Sequence, residues 1–207
     1  TEHGVTILGT SVAATDLTEN RHAFADHLHH LAIAQAAGTT VTELKEAYQA
    51  AHTIGYPLLV RPSFVLGGRA MAIVHDDTEL TPIIKAAVTA GHGAPILMDQ
   101  YLLGTECEVD VLSDGQQCCI PGIMEHLEGA GVHSGDSITV YPPQSLSSAV
   151  QDKIVTIATQ LAQSLHCVGM VNIQFVITDD VYVIDVNPRG SRTVPFMSKV
   201  THLPLAQ

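Results

Sequence analysis

The chain has 207 residues, 46% of them apolar, and a formal net charge of −12 from 9 basic and 21 acidic residues. That apolar share describes a globular chain rather than a disordered one, and no apolar run approaches the roughly 20 residues of a membrane span. The acidic balance speaks against a nucleic-acid surface or an anionic membrane as partner, and the 4 cysteines, none in CxxC spacing, read as reduced thiols in a cytoplasmic setting.

In chain order, GVTILGTS reads as a strand and turn with no signal-peptide pattern, and TENRHAFADHLHHLAIA as a helix. VTELKEAYQAAHTIG reads as a second helix, with Thr42 suited to the N-cap and Gly55 to the C-terminal stop. YPLLVRPS and MAIVHD are strand-like and joined by FVLGGRA; DTELTPIIKAAVTAG reads as a third helix with Pro82 in its first turns. PILMDQYL and ECEVDVLSDG read as strands, and Asp114-Gly115 marks a turn before QQCCIPGIMEH. LEGAGVHSGDSITVYPP is a glycine-rich loop leading to a short strand, and SSAVQDKIVTIATQLAQSLH is the longest helix. GMVNIQFVITDDVYVIDVNPR closes the pattern as a pair of strands, with no closing element expected in THLPLAQ. This mixed order predicts α+β lobes rather than a doubly wound sheet.

Three stretches point to chemistry. RPSFVLGGRAM places Arg61 and Arg69 around Gly67 and Gly68 in a chain poor in basic residues, which suggests a loop that meets an anion. In VYVIDVN, strand alternation puts Val181, Val183, Asp185 and Asn187 on one face, with Asp185 and Asn187 about 7 Å apart. If Asp179-Asp180 forms a two-residue turn, Gln174 lies directly opposite Asp185, and the patch offers a carboxylate and two side-chain carbonyls of the kind that suit Mg²⁺. The alternative, that Asp185 and Asn187 merely end a strand before Pro188, stays open at this point. GAGVHSGDS, with Gly131, Ser134 and Gly135, is either a backbone cradle for a phosphate or base or an ordinary surface turn. There is no GxxxxGK[ST], and no GxGxxG follows a strand. His27, His29 and His30 fall on different helix faces, which favours a solvated surface over a metal site, and Cys107 between Glu106 and Glu108 is a poor nucleophile.

RPSFVLGGRAM, EVDVLSDG, IMEHLEGAGVHSGDS, NIQF and VIDVNPRGSRTVPFMSK, in that order, closely resemble the large subunit of carbamoyl phosphate synthetase over essentially the whole chain. VLGGRAM with GVHSGDS resembles the second of that subunit's two ATP-grasp halves, which phosphorylates carbamate with ATP. The resemblance implies an ATP-grasp fold of two α+β lobes with the nucleotide site between them: residues 1–38 as the end of a preceding lobe and connecting helix, 39–104 as the small lobe with its Gly-rich lid, and 105–207 as the large lobe with the metal site, truncated at both ends. It further implies ATP with one or two Mg²⁺ or Mn²⁺ ions, carbamate as co-substrate, and a small glutaminase subunit as partner of the full enzyme. By the same matching, Arg61 binds phosphate oxygens beneath a lid containing Gly67 and Gly68. Gln100 and Leu102 line the adenine pocket, Glu106 takes the ribose, and Gly131, Val132, His133 and Ser134 contact nucleotide. Gln174, Asp185 and Asn187 hold metal, Gln174 and Asp185 also lying against the nucleotide, and Arg189 stabilises the transferred phosphoryl group. The family usually carries glutamate where this chain has Asp185. Alternatives from other classes are a non-catalytic ATP-sensing module and another ATP-grasp carboxylate-amine ligase. The isolated segment is expected to be inactive.

Overall fold

The computed structural model describes residue 4 and residues 7–62, 71–91, 94–129 and 137–205. The chain divides into two compact units, Ala36–Leu102 on one hand and Thr1–Gln35 with Leu103–Gln207 on the other. The opening segment, expected as a separate leading piece over 1–38, is thus part of the same unit as the C-terminal half over residues 1–35.

That opening segment forms two short helices, α1 (Val12–Glu19) and α2 (Arg21–His30), where one helix was expected. Asn20 is the reason: its extended backbone ends α1, and its side chain accepts from the Ala23 amide at 3.1 Å to start α2. Residues 7–10 form no strand.

The unit Ala36–Leu102 is an antiparallel sheet with helices packed on it. Its elements are β1 (Gly38–Val41), α3 (Leu44–Ile54), β2 (Leu58–Pro62), β3 (Ala72–Val74), α4 (Asp77–Gly91) and β4 (Ile96–Gln100), with strand order β1-β4-β2-β3. Thr42 is not the N-cap of α3; that position falls to Glu43, while the Thr42 amide and hydroxyl both donate to the Glu46 carboxylate at 2.8 and 2.9 Å. Gly55 does end the helix, at φ 88°, where a side chain would be strained. Alternation divides the sheet. Leu58, Val60, Val74, Ile96 and Met98 are buried in one core with Ala47, Ala51, Leu80 and Ile84 of the helices. Leu59, Arg61 and Asp99 therefore take the other face.

The second unit holds a larger antiparallel sheet in the order β10-β9-β5-β7-β8, with β6 paired to β5. These strands are β5 (Thr105–Asp114), β6 (Cys118–Cys119), β7 (Ile123–Gly129), β8 (Thr139–Val140), β9 (Val168–Ile177) and β10 (Val181–Asn187). The long helix α5 (Ser148–Ser164) covers one face. Its Ile154, Ala158 and Leu161 are fully buried with Cys107, Val109, Val111, Val171, Ile173 and Phe175, every second residue of β5 and β9. Each such aliphatic side chain contributes about 1.5–3 kcal/mol by leaving water, so this face fixes the sheet and leaves the opposite face free for polar residues. A closing helix, α6 (Val194–Thr201), was not expected from the sequence. Pro195 in its first turn was the available signal, and Val194 and Met197 bury against Met124.

The β9–β10 hairpin departs from simple alternation. Ile177 pairs with Val181, so the turn is the three residues Thr178–Asp180, not two. Val183 pairs with Phe175 but Asp185 pairs with Gln174, leaving Ile184 as an extra, bulged residue. The bulge reverses the faces. Val181, Val183 and Val186 are buried, while Asp185 is exposed and Asn187 half-buried on the opposite side. The expectation that Val181 and Val183 share a face with Asp185 and Asn187 is therefore wrong. The expected pairing of Gln174 with Asp185 holds because the longer turn and the bulge offset one another.

Candidate functional site

In the second unit, three strands lay polar side chains across the face opposite α5. The register aligns Glu108, Gln174 and Asp185 in one row and Asp110, Asn172 and Asn187 in the next. Asp185 and Asn187 are neighbours as expected: the Asn187 amide donates to Asp185 Oδ2 at 2.7 Å. Gln174, Asp185 and Asn187 together offer a carboxylate and two amide carbonyls, all hard oxygen donors, once Asn187 turns its carbonyl instead of its amide toward the patch. That donor chemistry fits Mg²⁺ or Mn²⁺. Among the described residues no group of three or more His, Cys, Asp or Glu side chains is placed to hold a metal. With one carboxylate among its three donors, this set suits an ion whose remaining ligands are phosphate oxygens and water.

Beside this patch the sequence hid a buried charged cluster. Glu106, Glu108 and Asp110 occur at every second position of β5 and are 7%, 4% and 3% exposed. Their signal was the alternation in ECEVDVL, where Cys107, Val109 and Val111 take the core face. His126 sits among them. Thr105 pairs with Gly129 and Cys107 with Glu125, so three β7 residues face Glu106 alone, and the irregularity tucks His126 between two carboxylates. Its Nδ1 lies 3.4 Å from Glu106 Oε2 and its Nε2 3.6 Å from Glu108 Oε1, ion-pair distances longer than a good hydrogen bond. Burial alone would lower the imidazole pKa, but Glu106 and Glu108 outweigh it and raise it to about 9. Burial likewise pushes Glu108 up, and His126, the Asn172 amide and Arg192 more than reverse it, holding the carboxyl below its ordinary range. The Asn172 amide uses both its hydrogens, donating to Glu108 at 2.9 Å and to Asp110 at 3.2 Å. Cys107 is pushed up by its burial first and then by Glu125, Glu108 and Glu106, which keeps it a thiol.

Arg189 is exposed, and its guanidinium donates to the carbonyl of Gly190 at 3.2 Å. In the Ala36–Leu102 unit, Arg61 donates to Asp99 Oδ2 at 2.6 Å across the sheet face away from the helices. Gln100 is exposed at the end of β4, its amide bonded to the Ala37 carbonyl at 2.7 Å, and Leu102 is half-buried. Gly67, Gly68 and Arg69, and the loop residues Gly131, Val132, His133, Ser134 and Gly135, lie outside the described residues.

Antiparallel sheets with helices on one face, in two α+β units, are the frame of the ATP-grasp class, and solved structures agree. The chain superposes over 99% of its length on biotin carboxylase from Campylobacter jejuni in complex with β,γ-ATP, covering 48% of that chain at TM-score 0.83 and 19% identity. It covers 68% of D-alanine–D-alanine ligase from Bacillus anthracis complexed with ATP, with TM-score 0.76 and 16% identity over 99% of its own length. At those identities the likeness shows the fold. The family described as carbamoyl-phosphate synthase L chain, ATP binding domain, matches residues 20–207, and the chain belongs to it. It is 84% identical over all 207 residues to the carbamoyl phosphate synthase arginine-specific large chain of Lactiplantibacillus plantarum, and spans 20% of that relative's length. No helix among the described residues is long and apolar enough to cross a membrane.

Proposed function

We propose that this chain is the carbamate-phosphorylating ATP-binding domain of a carbamoyl phosphate synthase large chain, the second of its two ATP-grasp halves. The observation that carries the reading is the row in which Gln174 lies directly opposite Asp185 with Asn187 beside it, on the polar sheet face opposite α5 in an ATP-grasp fold. Family membership supports the enzyme, and VLGGRAM with GVHSGDS supports the second half. The large-chain relative named for arginine supports a place in arginine synthesis.

In this reading a carbamate oxygen attacks the γ-phosphorus of ATP in line, the bond to the β-phosphate oxygen breaks, and carbamoyl phosphate and ADP result. Gln174, Asp185 and Asn187 would hold one or two Mg²⁺ or Mn²⁺ ions, which when bound neutralise phosphate charge. Arg61 binds phosphate oxygens, and Asp99 keeps its guanidinium from swinging away. Gln100 and Leu102 receive the adenine, and Glu106 the ribose hydroxyls, its carboxylate steadied by His126. Arg189 stabilises charge on the moving phosphoryl group after releasing its contact with Gly190. Gly67 and Gly68 serve as a lid, and Gly131, Val132, His133 and Ser134 as a nucleotide-contacting loop. A small glutaminase subunit supplies ammonia to the full enzyme.

The reverse reaction isolates this half. An intact large chain carrying the segment should phosphorylate ADP from carbamoyl phosphate with Mg²⁺ present, and Asp185→Asn should cut that rate about a hundredfold or more. ATP binding without this activity would favour a nucleotide-sensing module instead.

A further inference from the structure

We infer that Asp110 is a positioning residue that clasps the Ser191–Thr193 turn and so fixes the segment 188–193, which carries Arg189. The inference rests on the proposed function for its catalytic consequence but not for its geometry. Asp110 lies in the middle of β5, the central strand, and is 3% exposed. Its Oδ2 accepts from the Ser191 hydroxyl at 2.7 Å and the Thr193 hydroxyl at 2.8 Å. Its Oδ1 accepts from the Asn172 amide at 3.2 Å. The Ser191 oxygen also accepts from the Thr193 backbone amide at 3.1 Å, so the turn is closed on itself as well as tied to the sheet.

The clasp matters because of where the segment begins and ends. It leaves β10 at Asn187, which pairs directly with Asn172, and it enters α6 at Val194. Its first end is therefore paired to the Asn172 backbone and its last is tied to the Asp110 side chain, and the side chains of Asn172 and Asp110 are bonded to each other. Three donors converging on one carboxyl group hold a turn more narrowly than a single bond would, because each fixes a different direction of approach. An apolar side chain at 110 could fill the space. It could not orient two hydroxyls.

Three variants of the intact large chain test this: Asp110→Asn, the double variant Ser191→Ala/Thr193→Val, and Thr193→Ser. Asp110→Asn removes the carboxylate and points an amide donor either at the two hydroxyls, which must then accept instead of donate, or at the Asn172 amide, where donor meets donor, so the clasp is weakened on one side. The double variant removes both hydroxyls without touching the buried strand, and it carries the test if Asp110→Asn does not fold. Two readouts apply: hydrogen exchange of the peptide spanning 188–196, and the kcat and KM for ADP in carbamoyl-phosphate-driven ADP phosphorylation. Asp110→Asn and the double variant should exchange faster in that peptide and lose about tenfold or more in kcat, with KM for ADP within about twofold. Thr193→Ser, which keeps the hydroxyl, should behave as the wild type. Unchanged exchange in the double variant overturns the clasp. Faster exchange with unchanged kcat, or a loss that Thr193→Ser shares, overturns its role in positioning. A wild-type chain inactive toward carbamoyl phosphate would refute the proposed function, while the exchange readout still decides the clasp.

Discussion

The imidazole of His126 should carry a proton at neutral pH and lose it only near pH 9. It is 4% exposed and lies between Glu106 and Glu108, so the two carboxylates decide its charge against the cost of burial. A rise from 6.5 to about 9 corresponds to about 3 kcal/mol of preference for the folded, protonated form. Because the folded value lies above the unfolded one, this stabilisation is complete below about pH 6.5 and is lost as pH rises through about 9. The chain has 12 histidines, so His126→Gln would assign the resonance in a ¹H–¹³C titration. The His126 signal should show a midpoint near pH 9. In urea unfolding, the stability gap between wild type and His126→Gln should narrow by about 2–3 kcal/mol from about pH 7 to about pH 10. A midpoint at or below 6.5 would show that burial wins, that His126 is neutral, and that Glu106 and Glu108 are held by something else.

Arg61→Ala in the intact large chain should weaken ATP binding and slow transfer about ten- to a hundredfold, the worth of one charge-assisted contact; steady-state kinetics in ATP would show it, and unchanged constants would give Arg61 another task. Asp185→Asn should cost about a hundredfold or more in Mg²⁺-dependent transfer, whereas Asp185→Glu, which restores the longer carboxylate usual in the family, should be tolerated. Equal damage from the two would mean a site built around the shorter side chain. Gly104→Ala should destabilise the chain by about 1–3 kcal/mol in urea unfolding, since its new methyl would lie 2.2 Å from the Ile177 carbonyl oxygen, a backbone atom that cannot step aside.

Much of this architecture could be read before any coordinates. Helix α5 and the β9–β10 hairpin follow from periodicity and turn residues, because burial against one core imposes a clear period, whereas the Gln174–Asp185 pairing was reached through a two-residue turn and an unbroken strand, two departures that cancel. The reading failed where tertiary context decides. Nothing local announces an extra residue at Ile184, since a bulge is chosen by what both ends of a strand must face. The split at Asn20 looked like helix interior because its capping role depends on where the chain turns. His126 and Asp110 were missed for a related reason: each is an ordinary residue in its own strand, and gains its partners only when a neighbouring strand brings Glu108 to the one and the turn after β10 brings Ser191 to the other. The Glu106–Glu108–Asp110 alternation was visible and Glu106 was matched to the ribose, but nothing within one strand showed that these carboxylates are buried around His126 and Asn172.

The bulge at Ile184 also bears on how this hairpin can be exchanged between relatives. The three-residue turn and the bulged residue act as a matched pair of phase shifts, one at each end of a short stretch of strand. If Thr178 joined the strand and Asp179-Asp180 alone made the turn, with Ile184 still bulged, Asp185 would slide past Gln174 by one position. If Ile184 paired regularly instead of bulging, Asp185 and Asn187 would turn into the aliphatic core that now holds Val181 and Val183, whereas deleting Ile184 would leave Val183 and Asp185 adjacent with their faces unchanged. A relative one residue shorter here can therefore lose it from the turn or at position 184 and still keep Asp185 opposite Gln174, so a one-residue gap at either place needs no second gap to compensate it.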